Sequence, residues 1–169
     1  MPPADPGTRI EAFNVLSSPE ARKRLLRCLA VPRWAADVAE GRPYPTFEAL
    51  RERATDAAAA LTDAELATAL SGHPRIGERP TRGHDTAYSR REQAGVDASD
   101  TDVVARLSAG NHAYEERFDR VFLIRAAGRS AVEILSELTR RLTNDDPAER
   151  AETTTALREI ALLRLESVV

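Results

Sequence analysis

The sequence contains one cysteine, Cys28, among 169 residues. A lone thiol excludes an internal disulfide and predicts a reducing, cytoplasmic setting. Cys28 falls on an apolar helical stripe and is expected to be a buried structural thiol, not a nucleophile. No apolar run reaches the about 18 residues that a membrane-spanning helix requires, so no membrane partner is expected. Aromatic residues make up 5% of the chain, which leaves Leu, Ala, Val and Ile to build the core. Neither sign of charge dominates: 24 Lys and Arg stand against 27 Asp and Glu, interspersed, for a net charge of −3. Without a basic block, a nucleic-acid partner is not expected. Alternating strand patterns of useful length are missing too, as are internal repeats and any linker to a second domain.

What is present is helical periodicity with well-marked starts. Ser18-Pro19-Glu20 reads as an N-cap with proline at the first helical position, before a stripe through Ala21, Leu25, Leu26 and Leu29. Thr46 is expected to cap a helix through Leu50, Ala54 and Ala58. Thr62-Asp63-Ala64-Glu65 and Ser130-Ala131-Val132-Glu133 read as capping boxes. Gly72 is expected to end its helix in a left-handed conformation and deliver His73 just beyond it. Ser99 is expected to cap a longer helix through Val103, Leu107, Tyr114 and Phe118, and Asp146-Pro147 to start the last one. Phe122-Leu123-Ile124 reads either as the end of that longer helix or as a brief extended segment. These readings predict an all-α fold, a single-domain bundle of about eight helices. Residues 1–8, with neither a basic region nor an apolar core, are expected to be a disordered leader and not a signal peptide, with one domain over 9–169.

The densest chemistry lies between His73 and Gln93. His73-Pro74-Arg75-Ile76-Gly77 is followed, after a loop, by Ser89-Arg90-Arg91-Glu92-Gln93-Ala94-Gly95. A proton-transfer residue, a carboxylate and neutral hydrogen-bonding side chains in one stretch suit acid/base chemistry on a polar small molecule. Each part also has a plainer reading. His73 alone is a C-terminal capping side chain, Ser89-x-x-Glu92 alone is a capping box, and Arg164 alone is a surface arginine. Trp34 and Tyr114 read as core residues. His84 and His112 do not complete a metal-ligand spacing with His73, so no metal is expected.

The ordered set of motifs resembles the 2-oxo-4-hydroxy-4-carboxy-5-ureidoimidazoline (OHCU) decarboxylase family over nearly the whole length. Phe13-Asn14-Val15-Leu16 with Glu20, Leu25, Cys28 and Trp34 is similar to the family's opening helices. His73-Pro74-Arg75-Ile76-Gly77-Glu78 is similar to its His-Pro motif, and Ser89-x-x-Glu92-Gln93 follows, with the glycine here at Gly95. Asn111-x-x-Tyr114-x-x-x-Phe118-x-x-x-Phe122 resembles the segment leading to the substrate. Leu157-Arg158-Glu159-Ile160 with Arg164-Leu165 resembles the closing helix. The main departure is Asp119, where the family usually has glycine; it bears on how Phe122 to Ala126 leave the helix.

The resemblance implies a cofactor-free enzyme of urate breakdown that decarboxylates a small-molecule ureide to (S)-allantoin. It implies His73 and Glu92 as catalytic residues. It implies substrate contacts from Pro74, Ser89, Arg90, Arg91, Glu92, Gln93 and Arg164, and from Phe122, Leu123, Ile124, Arg125 and Ala126 through main-chain groups. Family members are often dimers, so a homodimer is an expectation. The competing readings are a non-catalytic helical interaction module on the same scaffold and a metal-dependent ureide hydrolase.

Overall fold

The computed structural model describes residues 6–78, 86–95 and 100–169. Among them are nine α-helices and no strand, in keeping with the all-α expectation. The chain forms two compact units. One holds the described residues up to Ala69 together with Arg158–Val169; the other is Leu70–Leu157.

The first unit contains α1 (Pro6–Asn14), α2 (Ser18–Cys28), α3 (Pro32–Glu40), α4 (Phe47–Ala59) and most of α5 (Asp63–Ser71). The start of α1 takes in residues 6–8 of the stretch read as a leader; residues 1–5 lie outside the described ones. The cap of α2 is Ser17, one residue earlier than expected: its hydroxyl accepts from the Glu20 amide at 3.3 Å, and Pro19 sits in the first turn. Thr46 caps α4 as expected. Thr62 and Glu65 close their capping box in both directions, at 2.9 and 3.2 Å. Helix α2 packs on α3, and α3 on α4. Phe13, Leu25, Trp34 and Leu50 are fully buried, and the Trp34 indole donates to the Ala54 carbonyl at 2.9 Å. Cys28 is buried in the same core.

The second unit contains α6 (Thr86–Glu92), α7 (Thr101–Phe118), α8 (Ala131–Arg141) and the first part of α9 (Asp146–Val168). Asp100, not Ser99, caps α7: its carboxylate accepts from the amides of Asp102 and Val103. Ser99 itself lies outside the described residues. The Ser130–Glu133 box forms as expected at the start of α8. Helices α7 and α8 pack together over a core of Leu107, Tyr114, Phe122, Ile134 and Leu138. Tyr114 meets Phe118 and Phe122 at centroid distances of 4.8 and 5.3 Å. Such ring pairs add about 0.5–1.5 kcal/mol each beyond the area they bury.

Candidate active site

Helix α5 ends at Ser71, and the His73 amide turns back to the Leu70 carbonyl at 3.0 Å. This tight turn closes the helix without the left-handed residue expected at Gly72; among the described residues, the glycines with positive φ are Gly77 and Gly128. The three-residue bond already satisfies an orphan helix carbonyl, so no left-handed cap is needed. His73 and Pro74 are half-buried in the loop that follows.

Three fastenings hold that loop to α7. The Ile76 side chain is buried in the core of the unit. Its carbonyl accepts from the Asn111 side-chain amide at 3.0 Å. Arg75 forks onto the Glu115 carboxylate at 2.6 and 2.7 Å. This charge-assisted bond holds the Glu115 carboxyl below, and the Arg75 guanidinium above, their ordinary ranges. In the sequence Arg75 and Asn111 stood out only as members of motifs, and Glu115 did not stand out at all. The signal available was Ile76, an isolated large apolar residue within a polar loop.

The second chemical cluster meets the first at Gly77. With φ at 87°, Gly77 takes a conformation that side chains rarely adopt, and its amide donates to Gln93 Oε1 at 3.2 Å. This leaves the Gln93 amino group as the donor end of that side chain. Glu92 is half-buried, and Arg90 and Arg91 are exposed in the last turn of α6, where positive side chains suit the helix dipole. Ser89 is interior to α6, so Ser89-x-x-Glu92 is not the helix-starting box of its plainer reading; the helix has already begun at Thr86. The Ser89 side chain lies outside the described ones.

Two residues past Gln93, Gly95 touches the third cluster. A Cβ at Gly95 would come within 2.8 Å of the Arg129 carbonyl. Arg129 closes a turn on Ala126, its amide donating to the Ala126 carbonyl at 3.0 Å. The loop carrying His73, the end of α6 and the close of the 122–126 segment therefore meet within one unit.

The 122–126 segment is neither helix nor ladder strand: α7 stops at Phe118 and the chain runs on irregularly. The stop is made by Asp119, in the left-handed conformation at φ 51° and ψ 36°, with its amide on the Glu115 carbonyl at 2.9 Å. Aspartate here takes the backbone shape a glycine would supply. Beyond it Phe122, Leu123, Ile124 and Ala126 are buried and Arg125 is exposed. The Leu123 carbonyl accepts from Arg141 at 2.6 Å.

Arg164 lies on α9 in the other unit, 5% exposed, which overturns the reading of it as a surface arginine. Sequence reading missed the buried charges of the second unit, Arg141 and Glu149. The signal was their phase: Arg141 continues the stripe of Ile134 and Leu138, and Glu149 precedes Thr153 and Leu157 at helical spacing. Among the described residues, no three His, Cys, Asp or Glu side chains cluster as a metal site would require, and no helix is long and apolar enough to cross a membrane.

The family model of OHCU decarboxylase matches residues 14–166. The chain is 34% identical over 146 residues to the 2-oxo-4-hydroxy-4-carboxy-5-ureidoimidazoline decarboxylase of Amia calva, covering 85% of this chain and 82% of that one. It is 26% identical over 163 residues to the uric acid degradation bifunctional protein of Bacillus sp. (strain TB-90), covering 95% of this chain but 32% of that longer protein. A crystal structure of OHCU decarboxylase in the presence of (S)-allantoin shares the fold, with a TM-score of 0.70 at 23% identity over 84% of this chain and 94% of that one. The chain belongs to the OHCU decarboxylase family of carboxy-lyases.

Proposed function

We propose that this chain decarboxylates 2-oxo-4-hydroxy-4-carboxy-5-ureidoimidazoline to (S)-allantoin in urate breakdown, without a cofactor. The reaction breaks one carbon–carbon bond. Carbon dioxide leaves the ring carbon that also carries the hydroxyl, and its bonding pair moves toward the neighbouring ureido-bearing carbon. A proton is then added to that neighbour from one face, while the hydroxyl gives up its proton and its carbon becomes the ring carbonyl. The pair can spread into the adjacent ring imine or carbonyl, so the substrate carries its own electron sink. The protein has to orient the carboxylate, steady the developing anion and deliver the proton.

In this reading His73 moves the proton, because an imidazole titrates near neutral pH. Glu92 holds the imidazole tautomer and binds the substrate hydroxyl. Pro74 stiffens the bend and touches the ring. The amino group of Gln93 and the Ser89 hydroxyl meet the ureido group, while Arg90 and Arg91 supply positive potential at the end of α6. Main-chain groups of Phe122, Leu123, Ile124, Arg125 and Ala126 hold the ring. The observation that carries the reading is the Gly77–Gln93 hydrogen bond, which joins the His73 loop to the end of α6 inside a chain that belongs to this family.

The test is to generate the acid from urate in the presence and absence of the protein and to follow the circular dichroism of the allantoin formed. A fast, single-handed signal, indifferent to a chelator, is expected. A racemic product at the spontaneous rate overturns the reading, and loss of turnover with chelator favours a metal-dependent hydrolase instead.

A further inference from the structure

Arg141 and Glu149 form an ion pair with side chains 3% and 0% exposed, beneath the 122–126 segment. Nothing in the reaction so far uses it. Its connections are almost complete. Arg141 Nε donates to Glu149 Oε1 at 2.8 Å, and one terminal nitrogen donates to the same oxygen and to the Thr153 hydroxyl at 3.2 Å. The other terminal nitrogen donates to the Leu123 carbonyl at 2.6 Å. The guanidinium also sits 4.8 Å from the Phe122 ring centroid. Glu149 in turn accepts from the Tyr114 hydroxyl and from the Asn144 side-chain amide. Burial, and then the bond to Glu149, push the Tyr114 hydroxyl up to about 12, so it stays a donor.

A charge pair this deep adds little net stability over well-packed apolar side chains of similar volume, because desolvation consumes most of the attraction. What it does give is direction. The described chain has a single cis peptide, Arg42–Pro43, so the Leu123–Ile124 peptide is trans and planar. Its carbonyl and its N–H therefore point in opposite directions. With the Leu123 carbonyl drawn inward onto Arg141, the Ile124 N–H faces away from the guanidinium. Among the described residues, no backbone partner takes that N–H. A cation on the carbonyl also polarises the peptide and strengthens the opposite N–H as a donor.

We propose that the buried Arg141–Glu149 pair is a positioning element for the decarboxylation: it fixes the Leu123–Ile124 peptide so that the Ile124 N–H is presented to the ureide ring as a rigid, polarised donor. Arg141 touches no substrate; it acts through the backbone. This role rests on the decarboxylase reading, and it belongs to the step in which negative charge grows on the ring. A preset donor is worth more to that charge than to the resting substrate.

The experiment compares the wild-type protein with Arg141→Lys and follows the 15N-labelled Ile124 amide on titration with (S)-allantoin. Lysine keeps the charge but cannot hold Glu149 and reach Leu123 together. In the wild type the Ile124 amide should move downfield as allantoin binds. In the folded variant kcat should fall by about tenfold or more while KM changes by less than about threefold, and the allantoin-induced shift should shrink. A purely structural pair would lower the melting temperature yet spare kcat in the folded protein. A folded Arg141→Lys variant with wild-type kcat overturns the proposal. So does an Ile124 amide that allantoin leaves unmoved in an active wild-type protein, a result that stands even if the variant does not fold. A wild-type protein without turnover refutes the decarboxylase reading itself, and the two failures are thereby told apart.

Discussion

Asp119 is a sharp place to test how this backbone is shaped. It sits at φ 51° and ψ 36°, outside the region ordinary side chains prefer, and closes α7 through its amide. A left-handed conformation costs an L-residue about 1–2 kcal/mol, less for aspartate, whose short polar side chain is tolerated there. Glycine removes that cost but adds about 0.4–1 kcal/mol of chain entropy in the unfolded state. The balance predicts that Asp119→Gly is stabilising by up to about 1 kcal/mol, or roughly 2–4 °C in melting temperature for a chain of this size. Asp119→Ala should be destabilised by about 1 kcal/mol, and Asp119→Val by more, because branching at Cβ worsens the same clash. Thermal and urea unfolding of the three variants would give the series. An order in which alanine is the most stable, or glycine costs more than about 0.5 kcal/mol, would refute the backbone argument and point to a side-chain role for the aspartate.

Other outcomes follow from named contacts. Glu149→Ala strands Arg141 in the core without its partner and should cost about 3–5 kcal/mol in unfolding experiments; a loss below about 1 kcal/mol would show the pair to be water-accessible in solution. Gly95→Ala places a Cβ against the Arg129 carbonyl at 2.8 Å, so α6 and the 126–129 turn must separate. A loss of about 1–3 kcal/mol with lower turnover is expected, and wild-type values for both would show that the contact is slack. The Arg33 guanidinium, bonded to Glu65 at 2.7 Å, lowers the Glu65 carboxyl from its ordinary 4.5 to about 2. Because the folded value lies below the unfolded one, its contribution is full above pH 4.5 and fades as the pH falls toward about 2. The stability gap between wild type and Glu65→Gln should close across that window, and a gap constant down to pH 2 would contradict the assignment.

Much of the helical plan was legible because its signals are local. Thr46, Thr62 with Glu65, and Ser130 with Glu133 all cap where their hydroxyls and spacing indicate. The misses are also local. Ser17 competes with Ser18, Asp100 with Ser99, and pairs of adjacent capping residues cannot be ranked without the chain's entry angle. Gly72 misled because a three-residue turn can close a helix without positive φ. At the site, sequence order listed His73, Gln93 and Gly95 but not what joins them. The Gly77 amide on Gln93 and the Gly95 approach to Arg129 are long-range facts that no periodicity encodes. Arg141 and Glu149 were readable in principle from helical phase. A charged residue on an apolar stripe is easily taken for a boundary residue instead of a buried partner.

The central claim is that His73 carries the proton in this decarboxylation, and its most direct measurement is the rate of CO2 release from freshly generated acid by the His73→Ala variant beside the wild type. The half-buried loop position of His73 means the variant should fold as the wild type does, while release falls to the spontaneous background. A folded variant that keeps the wild-type rate would contradict the account.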